Sequence, residues 1–152
     1  MKRLVQQIEE LISYVQYTDK VNESVSKTTV GWQIDHAAQV LTGICYTLEQ
    51  SDPKQYKWKF SLAGNYVMLT GKIPRGVGKA PKEVRSQERF FEEQHLLDRL
   101  AQAKAGVEGL PSMDDKAYFH HPYFGDFRKK KAVKFVGIHT EHHLKIIRDM
   151  LR

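Results

Sequence analysis

From Ala132 to Met150 the chain sets Ala132, Val136, His139, His143, Ile146 and Met150 at alternating steps of four and three. That spacing is the inner seam of an α-helix packed in a bundle. Two positions on the seam are histidines where apolar residues would ordinarily sit. His139 and His143 are four residues apart, so they share one face with Cβ atoms roughly 6 Å apart. An earlier helical pattern carries the line Trp32, His36, Val40 and Gly43, with Leu41, Ile44 and Leu48 beside it, so His36 also points inward. Three buried imidazoles leave six ring nitrogens to satisfy, and each unsatisfied buried polar group costs ~1–3 kcal/mol. One metal ion held by His36, His139 and His143 would account for all three residues. His142 falls on the flank, roughly 100° around the helix from His143, and is a poorer match to the same ion.

The rest of the chain reads as further helices. Leu4, Val5, Ile8, Leu11, Ile12 and Val15 recur at helical spacing across residues 2–16. A polar stretch from Asp19 to Thr29 reads as a loop, and a second helix spans Val30 to Gln50, capped by Thr28 or Thr29. Pro53 suits the first turn of a third helix running through Tyr56, Phe60, Leu62, Ala63, Val67 and Met68. Glycines and prolines forbid regular structure from Thr70 to Val84, and a fourth helix is expected over about Ser86 to Lys104. A long connection, Ala105 to Phe127, precedes the last helix, about Arg128 to Leu151. No period-two alternation longer than four residues suggests a strand. The expectation is a single all-α domain over residues 1–152, a bundle whose long loops wall one end.

Composition narrows the setting. With 152 residues and 41% hydrophobic content, the chain can bury a core and need not be disordered. No apolar run approaches the ~18 residues of a membrane helix. The start Met1-Lys2-Arg3 leads into an amphipathic rather than uniformly apolar segment, which does not indicate a signal peptide. The single cysteine, Cys45, excludes an intrachain disulfide and suits a reducing compartment, so a cytoplasmic location is expected. The net charge of +6 is mostly dispersed, except for Arg128-Lys129-Lys130-Lys131 with Lys134 one turn on. Such a run usually forms a solvated face. Cations at a helix N-terminus oppose the macrodipole, however, so the Glu92-Glu93 pair or an anionic ligand is expected to balance them.

Other constellations are weaker. Cys45 is out of phase with His36 and reads as core. Thr140 stands where a zinc-protease helix needs a glutamate after its first histidine, and Glu141 points elsewhere. Gly71 to Gly78 lacks the strand–loop–helix setting of a phosphate loop. His95 reads as a helix-surface residue. His120 and His121 fall in a loop, exposed or else leaning into the site as proton carriers.

Three pieces together resemble the DinB superfamily of metal-binding four-helix bundles: Trp32-Gln33-Ile34-Asp35-His36, His121-Pro122-Tyr123-Phe124-Gly125, and His139-Thr140-Glu141-His142-His143-Leu144. The last two are especially similar to an uncharacterised branch of that superfamily, as is the turn Lys72-Ile73-Pro74-Arg75-Gly76. The resemblance implies an up-down four-helix bundle with one additional helical segment. It implies a divalent transition metal on His36, His139 and His143, zinc or nickel first, with iron or copper as alternatives. Better-studied relatives are transferases or isomerases using low-molecular-weight thiols, so metal-assisted thiol transfer or hydrolysis of a small-molecule substrate is the implied chemistry. Trp32, His121, Tyr123, Phe124 and His142 are expected to line the pocket or support the ligands. The chain departs from that branch at Arg128-Lys129-Lys130-Lys131, where relatives are acidic, and at Lys145-Ile146-Ile147. Neither change touches the ligands. The competing reading is a non-catalytic module or homodimeric scaffold engaging an anionic partner, nucleic acid included, through residues 128–134.

Overall fold

The computed structural model describes residues 1–76 and 90–152. Among them are five α-helices and one two-stranded sheet: α1 (Lys2–Ser13), α2 (Val30–Gln50), α3 (Leu62–Thr70), α4 (Glu93–Gly109), β1 (Tyr118–His121), β2 (Gly125–Arg128) and α5 (Lys129–Met150). The molecule is therefore mostly helical, and among the described residues no helix is long and apolar enough to cross a membrane.

Both α1 and α2 pack against α4 and α5, and α3 rests on α5. Each long helix buries one stripe: Leu4, Ile8 and Leu11 on α1; Ile34, Leu41 and Leu48 on α2; Leu96, Leu100 and Val107 on α4; Val136, Leu144 and Ile147 on α5. Their burial removes apolar surface from water, at ~25 cal/mol per Å². Polar contacts fix the register of α1 on α5. Arg148 donates to both Glu10 oxygens at 2.7 Å and to Glu141 Oε1 at 2.8 Å. Gln7 Nε2 donates to Glu141 and to the Gly137 carbonyl.

The helix ends follow from local chemistry. Thr29 Oγ1 accepts from Trp32 N at 3.1 Å and starts α2. Ser61 Oγ accepts from Gly64 N at 3.0 Å and starts α3, and Gly71, with φ of 65°, ends it in the left-handed region. Gly31 is required for packing, because a Cβ there would lie 2.2 Å from Thr18 Oγ1.

Several sequence expectations need correction. The third helix does not begin at Pro53: residues Pro53–Gln55 form one 3-10 turn, and α3 starts only at Leu62. The intervening chain is drawn to the hairpin instead. Lys57 N donates to Asp126 Oδ2 at 2.8 Å, and the Arg128 guanidinium lies 3.8 Å from the Tyr56 ring centroid. The fourth helix starts later and ends later than expected. Residues 86–89 lie outside the described residues, residues 90–92 are not helical, and α4 continues to Gly109 because Val107 extends its buried stripe. The irregular stretch expected over 70–84 is likewise described only to Gly76.

The strands add one small sheet to the expected helical fold. They pair antiparallel, with Phe119 opposite Phe127 and His121 opposite Gly125. The expected long connection thus contains a hairpin that lies against α2 and α5. Buried Phe127 anchors it, and Gly125, at φ of 78°, makes its turn.

Candidate metal centre

Helices α2 and α5 pack together, and this brings His36, His139 and His143 to one point. One ring nitrogen from each can be chosen so that all three lie within 4.8 Å of one another. His36 and His143 are buried, and His139 is partly buried. Ring centroids of His36 lie 5.2 Å from His139 and 4.8 Å from His143. The Nε2 atoms of His139 and His143 face each other at 3.3 Å.

Gln33, one turn before His36, orients His143. Its Oε1 lies 2.6 Å from His143 Nδ1, while its Nε2 donates to Thr28 Oγ1 at 2.8 Å and to Ser26 Oγ at 3.3 Å. An amide oxygen only accepts, so in this orientation the proton of His143 resides on Nδ1 and the Nε2 lone pair faces the cluster. Burial, followed by the neighbouring histidines, holds the pKa of both His139 and His143 well below the ordinary value. Both rings are therefore neutral near pH 7, the form that offers a lone pair to a cation. His139 Nδ1 is buried without a hydrogen-bond partner.

Aromatic rings surround the cluster. Trp32 stacks on His36 with centroids 5.1 Å apart and planes 14° from parallel. On the other side Phe135 lies 6.1 Å from His139 and 5.0 Å from His121. His121 stacks on Phe124 at 4.1 Å, and its Nδ1 accepts from Tyr123 N. Burial lowers the pKa of His121 to about 4. The hairpin therefore brings His121 and Phe124 as far as Phe135, one ring short of His139. Tyr123 is 64% exposed at the turn and does not reach the cluster. His142 stays on the flank, its ring 5.1 Å from that of His143. Burial and then Arg75 push its pKa down to about 4, against a hydrogen bond to the Ile73 backbone.

Asp35, beside His36 in sequence, faces the other way. Its carboxylate lies 2.9 Å from Arg99 Nε of α4. That N–H is directed at His95 Nε2, so the Asp35 contact is ionic, while Gln39 donates to the second oxygen at 2.6 Å. Cys45 is buried beside Gly106, away from the histidines. His120 is exposed and pairs with Asp126 at 2.6 Å.

Two residues escaped sequence reasoning. Gln33 shares a helix face with His36 at i, i+3, and a buried amide in need of partners was the available signal. Phe135 sits four residues before His139 on the same helix, but read simply as an apolar residue.

Three of the five cations at the start of α5, Arg128, Lys129 and Lys131, are engaged within the fold, while Lys130 and Lys134 are exposed. Lys129 Nζ donates to the Met113 carbonyl at 2.6 Å and pairs with Asp115 at 2.6 Å. Arg128 lies over Tyr56 and donates to the Lys116 carbonyl, and Lys131 lies over Phe127. Lys129 thus takes its acidic partner from Asp115, not from the expected Glu92-Glu93 pair.

No family model matches the chain, and no curated protein or solved structure matches it.

Proposed function

We propose that this chain is a DinB-like bundle of α1, α2, α4 and α5 that binds one divalent transition metal through His36, His139 and His143. The observation that carries the reading is the facing pair of Nε2 atoms at 3.3 Å, with His143 held in the ligating tautomer by Gln33. Two imidazole nitrogens at ~2.0–2.1 Å from one tetrahedral ion lie roughly 3.3 Å apart. The far nitrogen of a metal-ligating histidine is usually held by an acceptor oxygen, and Gln33 Oε1 supplies one for His143. The pairing of α1 and α2 each with α4 and α5 supports the four-helix arrangement.

A divalent zinc or nickel, or else iron or copper, would supply Lewis acidity and lower the pKa of a water or thiol. The protein's own residues do the remaining work. Gln33 fixes one ligand, Trp32 holds His36 by stacking, and the rings of Phe135, Phe124 and His121 limit water on the hairpin side. Thiol transfer or hydrolysis of a small molecule in the cytoplasm is the activity this arrangement suits best. The basic-patch alternative is the weaker reading, because Arg128, Lys129 and Lys131 already have partners within the chain. A homodimer would find its apolar surface on α3, where Leu62 and Leu69 are 77% and 89% exposed.

X-ray absorption on zinc- or nickel-loaded protein tests the centre. The expected first shell contains three imidazole nitrogens at ~2.0–2.1 Å. A shell without imidazole, or one unchanged by His143→Ala, would contradict the assignment.

A further inference from the structure

Next to the histidines, between α5 and the turn that follows α3, lies an open cleft of about 270 Å³. Its floor is apolar, formed by Tyr66, Ile73, Pro74 and Ile138. Its rim is charged, and the charges are not balanced. Arg75 is paired with Asp149 at 2.7 Å, and Glu141 accepts from Arg148 at 2.8 Å, a guanidinium it shares with Glu10, and from the Gln7 amide at 3.1 Å. Of the other rim cations, Lys145 acts electrostatically on Glu141 one turn before it, and Lys72 has no ion pair with an acidic residue among the described residues. Lys72 and Lys145 come from separate elements, the turn and α5, so the fold itself brings two exposed ammonium groups to the rim of one apolar floor, where the lining cations Lys72, Arg75 and Lys145 face the single carboxylate of Glu141. His142 forms the wall shared with the metal centre, its ring on the cleft side and 5.1 Å from that of His143.

We propose that this cleft binds a small organic anion, an apolar body ending in a carboxylate or phosphate, as the acidic end of the substrate whose other end is presented to the histidine cluster. Only that second half rests on the metal reading; anion binding in the cleft requires no metal. Lys72 and Lys145 act as the anion clamp, and Ile73 and Ile138 contact the apolar body. Each lysine is exposed, so both can be replaced without opening the core.

The test uses phenylacetate, its neutral isostere phenylacetamide, and phenyl phosphate, titrated by NMR into metal-free protein with isoleucine methyl labels. Phenylacetate should move the Ile73 and Ile138 signals saturably. Phenylacetamide, and phenylacetate with the Lys72→Gln, Lys145→Gln double variant, should each bind roughly tenfold more weakly, the size expected of two partly exposed charge contacts. Phenyl phosphate binding more tightly than phenylacetate would assign the clamp to phosphate, and the reverse order to carboxylate. Equal binding of acid and amide, wild-type affinity in the double variant, or no saturation by about 10 mM would overturn the proposal. Cobalt-loaded protein separates the two halves. Selective broadening of bound phenylacetate would place the cleft beside the metal, and sharp signals from bound ligand would overturn that placement. Protein that takes up no cobalt yet discriminates acid from amide would refute the metal reading alone.

Discussion

At the scale of single residues, the geometry of the proposed centre depends on side chains outside its three histidines. Gln33 is the clearest case, since its oxygen determines which nitrogen of His143 faces His139. Gln33→Leu should leave the helix content unchanged and weaken zinc binding by ~10–100-fold in a chelator competition titration. Gln33→Glu, which also accepts from Nδ1, should restore most of the affinity. The histidines further predict a pH dependence for metal-free protein. His121 and His142 have folded pKa values of about 4, and those of His139 and His143 are also well below the ordinary ~6.5. Below pH ~6.5 the unfolded chain takes up protons that the fold refuses, so stability falls as pH drops from ~6.5 toward 4. The carboxylates of Glu10 and Glu141, whose pKa values are lowered by Arg148 against the cost of burial, lose their contribution only below the ordinary glutamate range. The urea midpoint should therefore decline between pH 7 and 5, and a His139→Leu, His143→Leu variant should show a flatter decline. An equal slope in both proteins would refute this cause.

At the scale of elements, legibility followed the range of the forces involved. The His139/His143 seam was readable because the helical period alone places i and i+4 together, and α2 was readable because Thr29 caps it locally. What the sequence concealed was tertiary. Residues 56–61 carry helical spacing, yet Asp126 and Arg128 draw them toward the hairpin, and Ser61 provides a new start. The strands have only four residues each and are held by Phe127 and the Gly125 turn, too short for alternation to register. That His36, His139 and His143 each lie on the inner face of a helix was legible in the same local way, whereas the role of Gln33 required knowing that α5 lies against α2. Two substitutions test these elements. Ser61→Ala should cost about 1 kcal/mol through loss of the α3 cap. Gly31→Ala should cost ~1–3 kcal/mol, because its Cβ would force Thr18 aside at the start of α2. Both are read from chemical denaturation midpoints.

At the scale of the whole molecule, the histidine cluster joins helices that are far apart in sequence, so the ion should act as a cross-link between α2 and α5. A ligand that binds only the folded state adds ~2.7 kcal/mol when present at a hundred times its dissociation constant. Zinc or nickel should raise the melting temperature, and a chelator should reverse the shift. The central claim is tested most directly by elemental analysis of protein made without a histidine tag under metal-replete growth, beside a His139→Ala, His143→Ala variant. The account predicts close to one divalent transition-metal ion per chain in the parent and little in the variant, with both proteins helical by circular dichroism. Equal metal in both proteins, or none in the parent, would contradict it.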